Sequence, residues 1–179
     1  MSKRGKRIVI AAGALLLMAG AAAWALAGEG LEGMKKLVRA RFPNVPQMST
    51  EELSALLKDA RKPPPLLLDV RTQAEFDVSH LPGARRVDPE AKAAEVLPLL
   101  EKNRAVVTYC SVGYRSSAMA DRLRKAGVTQ VSNLEGSIFQ WANEGRVLEA
   151  KGTPTGKVHP YNATFGRMLD EPRRAELRD

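Results

Sequence analysis

Two apolar runs do most to limit what this chain can become. Leu66-Leu67-Leu68 and Ala105-Val106-Val107 are short and carry no polar face, so they suit buried strands and not helices. Helical stretches separate them. Ser49 and Glu52 have capping-box spacing ahead of Leu53, Leu56 and Leu57, and Pro63-Pro64-Pro65 stops that helix. Pro89 to Leu100 reads as helical with an interruption near Pro98, Gly127 closes a helix after the second run, and Gly136 to Asn143 is a last helix. Arg85-Arg86-Val87, after the Pro82-Gly83 turn, and Gln130-Val131 supply two more short strands. Strands alternating with helices predict an α/β domain: a central parallel sheet flanked by helices on both faces, with its functional loops at the carboxyl ends of the strands.

The second run leads to the only cysteine in the chain, Cys110. Ser116-Ser117, ahead of Ala118-Met119-Ala120-Asp121-Arg122-Leu123, reads as the N-cap of an amphipathic helix, which leaves Cys110 in a tight strand-to-helix loop. There the free N–H groups and the positive end of the helix dipole favour thiolate over thiol. A free cysteine titrates near about 8.5, so Cys110 is expected to be partly ionised at neutral pH. Gly113 suits a backbone bent to turn amides inward, and Arg115 adds a permanent cation with a planar fork of donors. The competing reading is a buried cysteine acting as a small hydrophobe, which fits poorly with an arginine five residues on.

The 179 residues allow one domain of ordinary size plus appendages. A net charge of +8 suggests nucleic acid, but Lys3, Arg4, Lys6 and Arg7 supply four of the 28 basic residues, leaving 24 against 20 acidic ones. That is a mildly basic surface without a nucleic-acid motif, so no nucleic-acid partner is expected. One cysteine does not fix the redox compartment. His80 and His159 lie far apart with no second cysteine to help them, and no metal site is expected.

Residues 1–7 form a basic tail, and Ile8 to Gly28 is a run of 21 residues without a charge. As a helix it would span about 30 Å, enough to cross a bilayer. Ala25-Leu26-Ala27 also fits a small-x-small cleavage site, so a transmembrane helix and a cleaved signal peptide both remain open. The expected location is the membrane, single-pass, with a cytoplasmic N-terminus and the domain on the outer, periplasmic side. The alternative is export after cleavage. Residues 29–47 read as an amphipathic juxtamembrane segment and linker. Leu31, Met34, Val38 and Phe42 recur at helical spacing, suiting a helix on the membrane surface or one packed on the domain, and Pro43 and Pro46 make a stiff linker. Residues 149–179 form a C-terminal extension with no readable chemistry, in which Phe165, Met168 and Leu169 suit a short docked helix.

Three stretches, in order, resemble the rhodanese sulfurtransferases: Asp69-Val70-Arg71-Thr72-Gln73-Ala74-Glu75-Phe76 through His80-Leu81-Pro82-Gly83-Ala84; Cys110-Ser111-Val112-Gly113-Tyr114-Arg115-Ser116; and Leu134-Glu135-Gly136 with Trp141 and Gly145. The resemblance covers residues 48–148 and implies a single rhodanese-like domain. It implies that the Cys110 thiolate takes a sulfane sulfur from a donor such as thiosulfate as a persulfide and passes it to a thiophilic acceptor, cyanide or a thiol. Cys110 and Arg115 are then the catalytic residues, and Ser111, Val112, Gly113, Tyr114 and Ser116 line the substrate. No cofactor is implied. Asp69, Arg71, Glu75 and His80 are chiefly scaffold. Phosphatase relatives carry one more residue between cysteine and arginine, so the shorter loop here favours sulfur, while Ser111 stands where several rhodaneses have a basic residue. A membrane-tethered persulfide carrier serving a protein sulfur acceptor, or a non-catalytic binding module, is the alternative.

Overall fold

The computed structural model describes residues 30–176, so the basic tail and the apolar run 8–28 lie outside the described residues. Among those described, no helix is long and apolar enough to cross a membrane. The strands are β1 (Gln47–Met48), β2 (Leu66–Asp69), β3 (Arg85–Arg86), β4 (Val106–Tyr109) and β5 (Val131–Leu134), in one sheet of order β1-β5-β4-β2-β3. Every pairing in it is parallel. The two apolar runs lie side by side in register, Leu66 against Val106 and Leu67 against Val107.

Parallel strands need crossover helices, which here cover both faces. The helices are α1 (Gly30–Arg41), α2 (Thr50–Lys58), α3 (Gln73–Val78), α4 (Ala93–Val96), α5 (Tyr114–Lys125), α6 (Ser137–Asn143) and α7 (Ala163–Gly166). Strand alternation sends Leu67, Val107 and Leu134 into one core with Leu53 of α2 and Ile138 and Phe139 of α6. Leu66, Leu68, Val106 and Val131 enter a second core with Val96 of α4 and Met119 and Leu123 of α5. The expected capping box opens α2: Ser49 Oγ accepts the Glu52 N–H at 3.0 Å and Glu52 Oε2 accepts the Ser49 N–H at 2.7 Å.

Of the two seats open to Leu31–Phe42, the structure shows the domain. Met34 enters the first core, Val38, Phe42 and Val45 enter the second, and the Phe42 ring meets Tyr114 edge-on at 5.3 Å. The apolar stripe that would also suit a membrane surface is thereby removed from water against the sheet's own helices. The expected linker feeds directly into β1, since the Pro46 carbonyl accepts the Asn133 N–H at 2.9 Å. Past Leu148 the chain makes an antiparallel hairpin of β6 (Leu148–Ala150) and β7 (Thr153–Thr155), then α7, which buries Phe165 and is capped by Asn162.

Candidate active site

The carboxyl ends of β2 and β4 set the site. Asp69 ends β2 fully buried, and its carboxylate accepts from Nε and Nη2 of buried Arg71 at 2.8 and 2.6 Å. Arg71 Nη2 also donates to the Ser79 carbonyl at 2.6 Å, pinning the chain beyond α3 to the strand end. The Tyr109 hydroxyl, under the same arginine, accepts the Leu81 N–H at 3.1 Å. His80 stacks on Phe76 at 3.9 Å and pairs in backbone fashion with Glu149. These contacts join segments and face no cavity at Cys110.

Beyond β4 the loop is shorter than expected. Helix α5 starts at Tyr114, capped by Gly113 at φ 105°, and not after the serine pair. A left-handed φ suits glycine, and a Cβ there would stand 3.3 Å from Asn133 Nδ2. Ser116 and Ser117 therefore fall in the first turn, and Ser116 Oγ donates to Asn133 Oδ1 at 2.6 Å. The Cys110 and Ser111 carbonyls accept the Ile138 and Phe139 N–H groups of α6, while the Cys110 N–H donates to Ser137 Oγ at 3.2 Å. The loop is thus clamped from behind, and Gly113 N–H points forward to Cys110 Sγ at 3.2 Å. Cys110 is only 1% exposed. Burial by itself pushes the thiol up, but the Arg115 charge and the donors of Ser116 and Gly113 outweigh it and hold the thiol below its ordinary value.

Arg115 acts on the sulfur through its charge. Its fork is engaged elsewhere: Nη1 and Nη2 donate to the Glu75 carboxylate at 2.9 and 2.7 Å, and Nη2 also to Ser111 Oγ at 3.0 Å. Glu75 is buried and also accepts from the Thr72 N–H and hydroxyl and from the Ser111 hydroxyl. Burial pushes its carboxyl up, but Arg115 and then Thr72 and Arg71 overcome this and bring it to about 2.

The C-terminal segment closes the site. The Tyr161 ring lies over the Arg115 guanidinium at 5.0 Å and meets Phe165 edge-on at 5.4 Å. With Cys110, Ser111, Val112, Tyr114 and Arg115 these rings line a cavity of about 10 Å³, room for about one water. Of the seven residues expected in the site, Cys110, Ser111, Val112, Tyr114 and Arg115 line this cavity and Gly113 and Ser116 do not, although Val112 also packs into the first core and the Tyr114 ring turns to Phe42. Tyr161, Phe165 and Ser137 carry no local signal of a place at the site. Glu75 does carry one, since Thr72 and Glu75 have the spacing of a capping box, which they form. Among the described residues, no group of three or more His, Cys, Asp or Glu is placed to hold a metal ion.

The profile of the family described as "Rhodanese-like domain" matches residues 49–144. The chain is 34% identical over 79 residues to a probable adenylyltransferase/sulfurtransferase MoeZ of Mycobacterium tuberculosis, covering 44% of this chain and 20% of that protein. It is 28% identical over 131 residues to the tRNA uridine(34) hydroxylase of Sodalis glossinidius, covering 68% of this chain and 35% of that protein. The structure resembles a thiosulfate sulfurtransferase from Pseudomonas aeruginosa with a TM-score of 0.58 and 29% identity, over 66% of this chain and 22% of that one. The chain thus spans between a fifth and about a third of the length of these proteins.

Proposed function

The chain belongs to the rhodanese-like domain family, and from that premise we propose that it is a sulfurtransferase working through a persulfide on Cys110. The observation that carries this reading is the setting of the thiol. Sγ accepts the Gly113 N–H, the Arg115 charge stands beside it, and its ionisation is made easier despite burial, as a sulfur nucleophile requires. With thiosulfate as donor, the Cys110 thiolate attacks the outer sulfur, the S–S bond of the donor breaks, and its electron pair leaves on sulfite. Cyanide or a thiol then attacks the outer sulfur held on Cys110, and the cysteine departs as thiolate. Gly113 and Ser116 donors and the Arg115 charge stabilise the sulfur anion at both ends of the cycle.

Intact mass of the full chain, before and after treatment with thiosulfate or a thiol persulfide, tests this directly. One added sulfur is expected on the wild type and none on Cys110→Ser. Sulfur retained by the serine variant would sink the assignment. A second reading, a persulfide carrier for a protein acceptor, draws support from the burial of Sγ beneath Tyr161 and Phe165, which shields a held sulfur. Steady thiocyanate formation from thiosulfate and cyanide favours the enzyme. A stable persulfide discharged only by a protein partner favours the carrier.

The proposal extends to location: residues 8–28 tether the domain to a membrane, with the N-terminus cytoplasmic and the domain outside, or direct its export and are removed. Support comes from the uncharged run beside a basic tail. A reporter fused after Asp179 and active only in the cytoplasm would reverse the orientation, and the mass of the N-terminus on the mature protein separates tether from cleaved leader.

A further inference from the structure

We infer that residues 158–175, with Tyr161 and Phe165 on their inner face, are a lid that closes over Cys110 and the sulfur it carries and swings away for donor and acceptor. The inference rests on the persulfide chemistry proposed above and supplies the conformational step which that chemistry needs. Cys110 is 1% exposed, and the cavity it shares with the two rings has room for about one water. A single sulfur atom is of about that size. Every donor is larger, because its leaving group lies one S–S bond beyond the atom transferred, and an acceptor must line up on the bond to that same atom. Neither fits beneath the rings, so the closed form holds the cargo and excludes whatever brings or removes it.

The segment is built to move as a body. Its ends meet where the Val158 N–H donates to the Arg173 carbonyl at 2.7 Å and the Ala175 N–H to the Val158 carbonyl at 2.9 Å. Among the described residues, every hydrogen bond between main-chain groups that residues 158–175 make ends within the segment. Three contacts hold it down. Phe165, Met168 and Leu169 enter the first core, and the Tyr161 ring rests on the Arg115 guanidinium. The polar latch is Asn143 at the end of α6, which donates from Nδ2 to the Met168 carbonyl at 2.9 Å and accepts the Asp170 N–H on Oδ1 at 3.0 Å. A loop joined at its ends and latched through one side chain opens at less cost than a strand or helix of the core. Tyr161 adds strain: its φ of 65° is a left-handed value that a bulky residue adopts only under constraint, and such strain collects in segments that switch. The family match ends at residue 144, so the lid lies outside it.

Cys110 is the only cysteine in the chain, so alkylation of the full chain reports access to that sulfur alone. The test measures alkylation by iodoacetamide and by the larger N-ethylmaleimide across pH. Each rate is corrected for the thiolate fraction from its pH midpoint and divided by the corrected rate of free cysteine. A lid that opens and recloses faster than either reagent reacts slows both by one common factor, expected at about tenfold or more. Asn143→Ala removes the latch without touching the cavity and should raise both rates by about tenfold, with the pH midpoint unmoved. Tyr161→Gly, which suits the left-handed backbone and deletes the ring, should raise them as well. Corrected wild-type rates equal to those of free cysteine overturn the lid whether or not a variant folds. Slowing that deepens with reagent size marks a fixed crevice and overturns it too, as do rates indifferent to both substitutions. Alkylation needs no sulfur donor, so a lid found on a chain that neither thiosulfate nor a thiol persulfide can load defeats the persulfide reading alone.

Discussion

Two bidentate arginine–carboxylate pairs stand in this molecule, one bound side-on through Nε and Nη2 and the other end-on through both terminal nitrogens, with different work to do. Asp69–Arg71 is wholly buried at the end of β2, where the arginine also bonds the Ser79 carbonyl. Glu75–Arg115 is partly exposed through the arginine, whose charge acts on the Cys110 sulfur. The difference shows that what a buried ion pair does depends on its third neighbour: a backbone carbonyl makes the first a staple, and a thiol makes the second an electrostatic device.

Removing one partner of the staple breaks the comparison most severely. Asp69→Ala leaves a fully buried arginine without its carboxylate and should cost about 3–5 kcal/mol in denaturant unfolding. Loading of Cys110 should then fall only as far as the folded fraction does. Arg115→Ala is next: the fold should survive, while sulfur loading slows by about 10²–10³-fold, as when one anion-stabilising group is lost from a site. The pH at which a thiol reagent alkylates Cys110 should rise, and the Asp69→Ala variant measured while folded should not share that rise.

The pH dependence of stability sharpens the contrast. The Glu75 carboxyl falls from an ordinary 4.5 to about 2 in the folded protein. Its folded value is depressed, so its contribution is complete above about pH 4.5 and is lost as pH falls toward 2. At about 1.4 kcal/mol per unit, the whole is at most about 3 kcal/mol. Acid titration of the unfolding free energy should show a loss in that window, and Glu75→Gln should abolish that part of the slope. The smallest effect is expected from Thr72→Ala, which removes the capping hydroxyl from Glu75. A cost of about 1 kcal/mol should appear in unfolding, with the alkylation profile of Cys110 nearly unmoved.

What could be read ahead of the structure follows from how local each signal is. Leu66-Leu67-Leu68 and Val106-Val107 announce themselves because burial on both faces of a parallel sheet demands unbroken apolar side chains. Cys110 stands out because strand and helix signals bracket it. The serine pair reads as the helix start because serine is the commoner cap, while the left-handed turn at Gly113 and the Ser116 bond to Asn133 depend on a neighbouring strand. Glu75 reads as a capping residue from its spacing to Thr72, yet its bond to Arg115 joins positions 40 residues apart and leaves no local mark. Tyr161 and Phe165 are the extreme case. Aromatic residues in a polar, Gly- and Pro-rich stretch look like anchors for a terminal helix, and only the tertiary path of the chain brings them over the cysteine.

The two outermost strands, β1 and β3, are two residues long, while the three between them have four. A stub of that length offers a stranger's backbone almost nothing to zip onto. Crowding many copies of this domain together should therefore not recruit it into sheet-to-sheet polymers, whatever else draws the copies near one another.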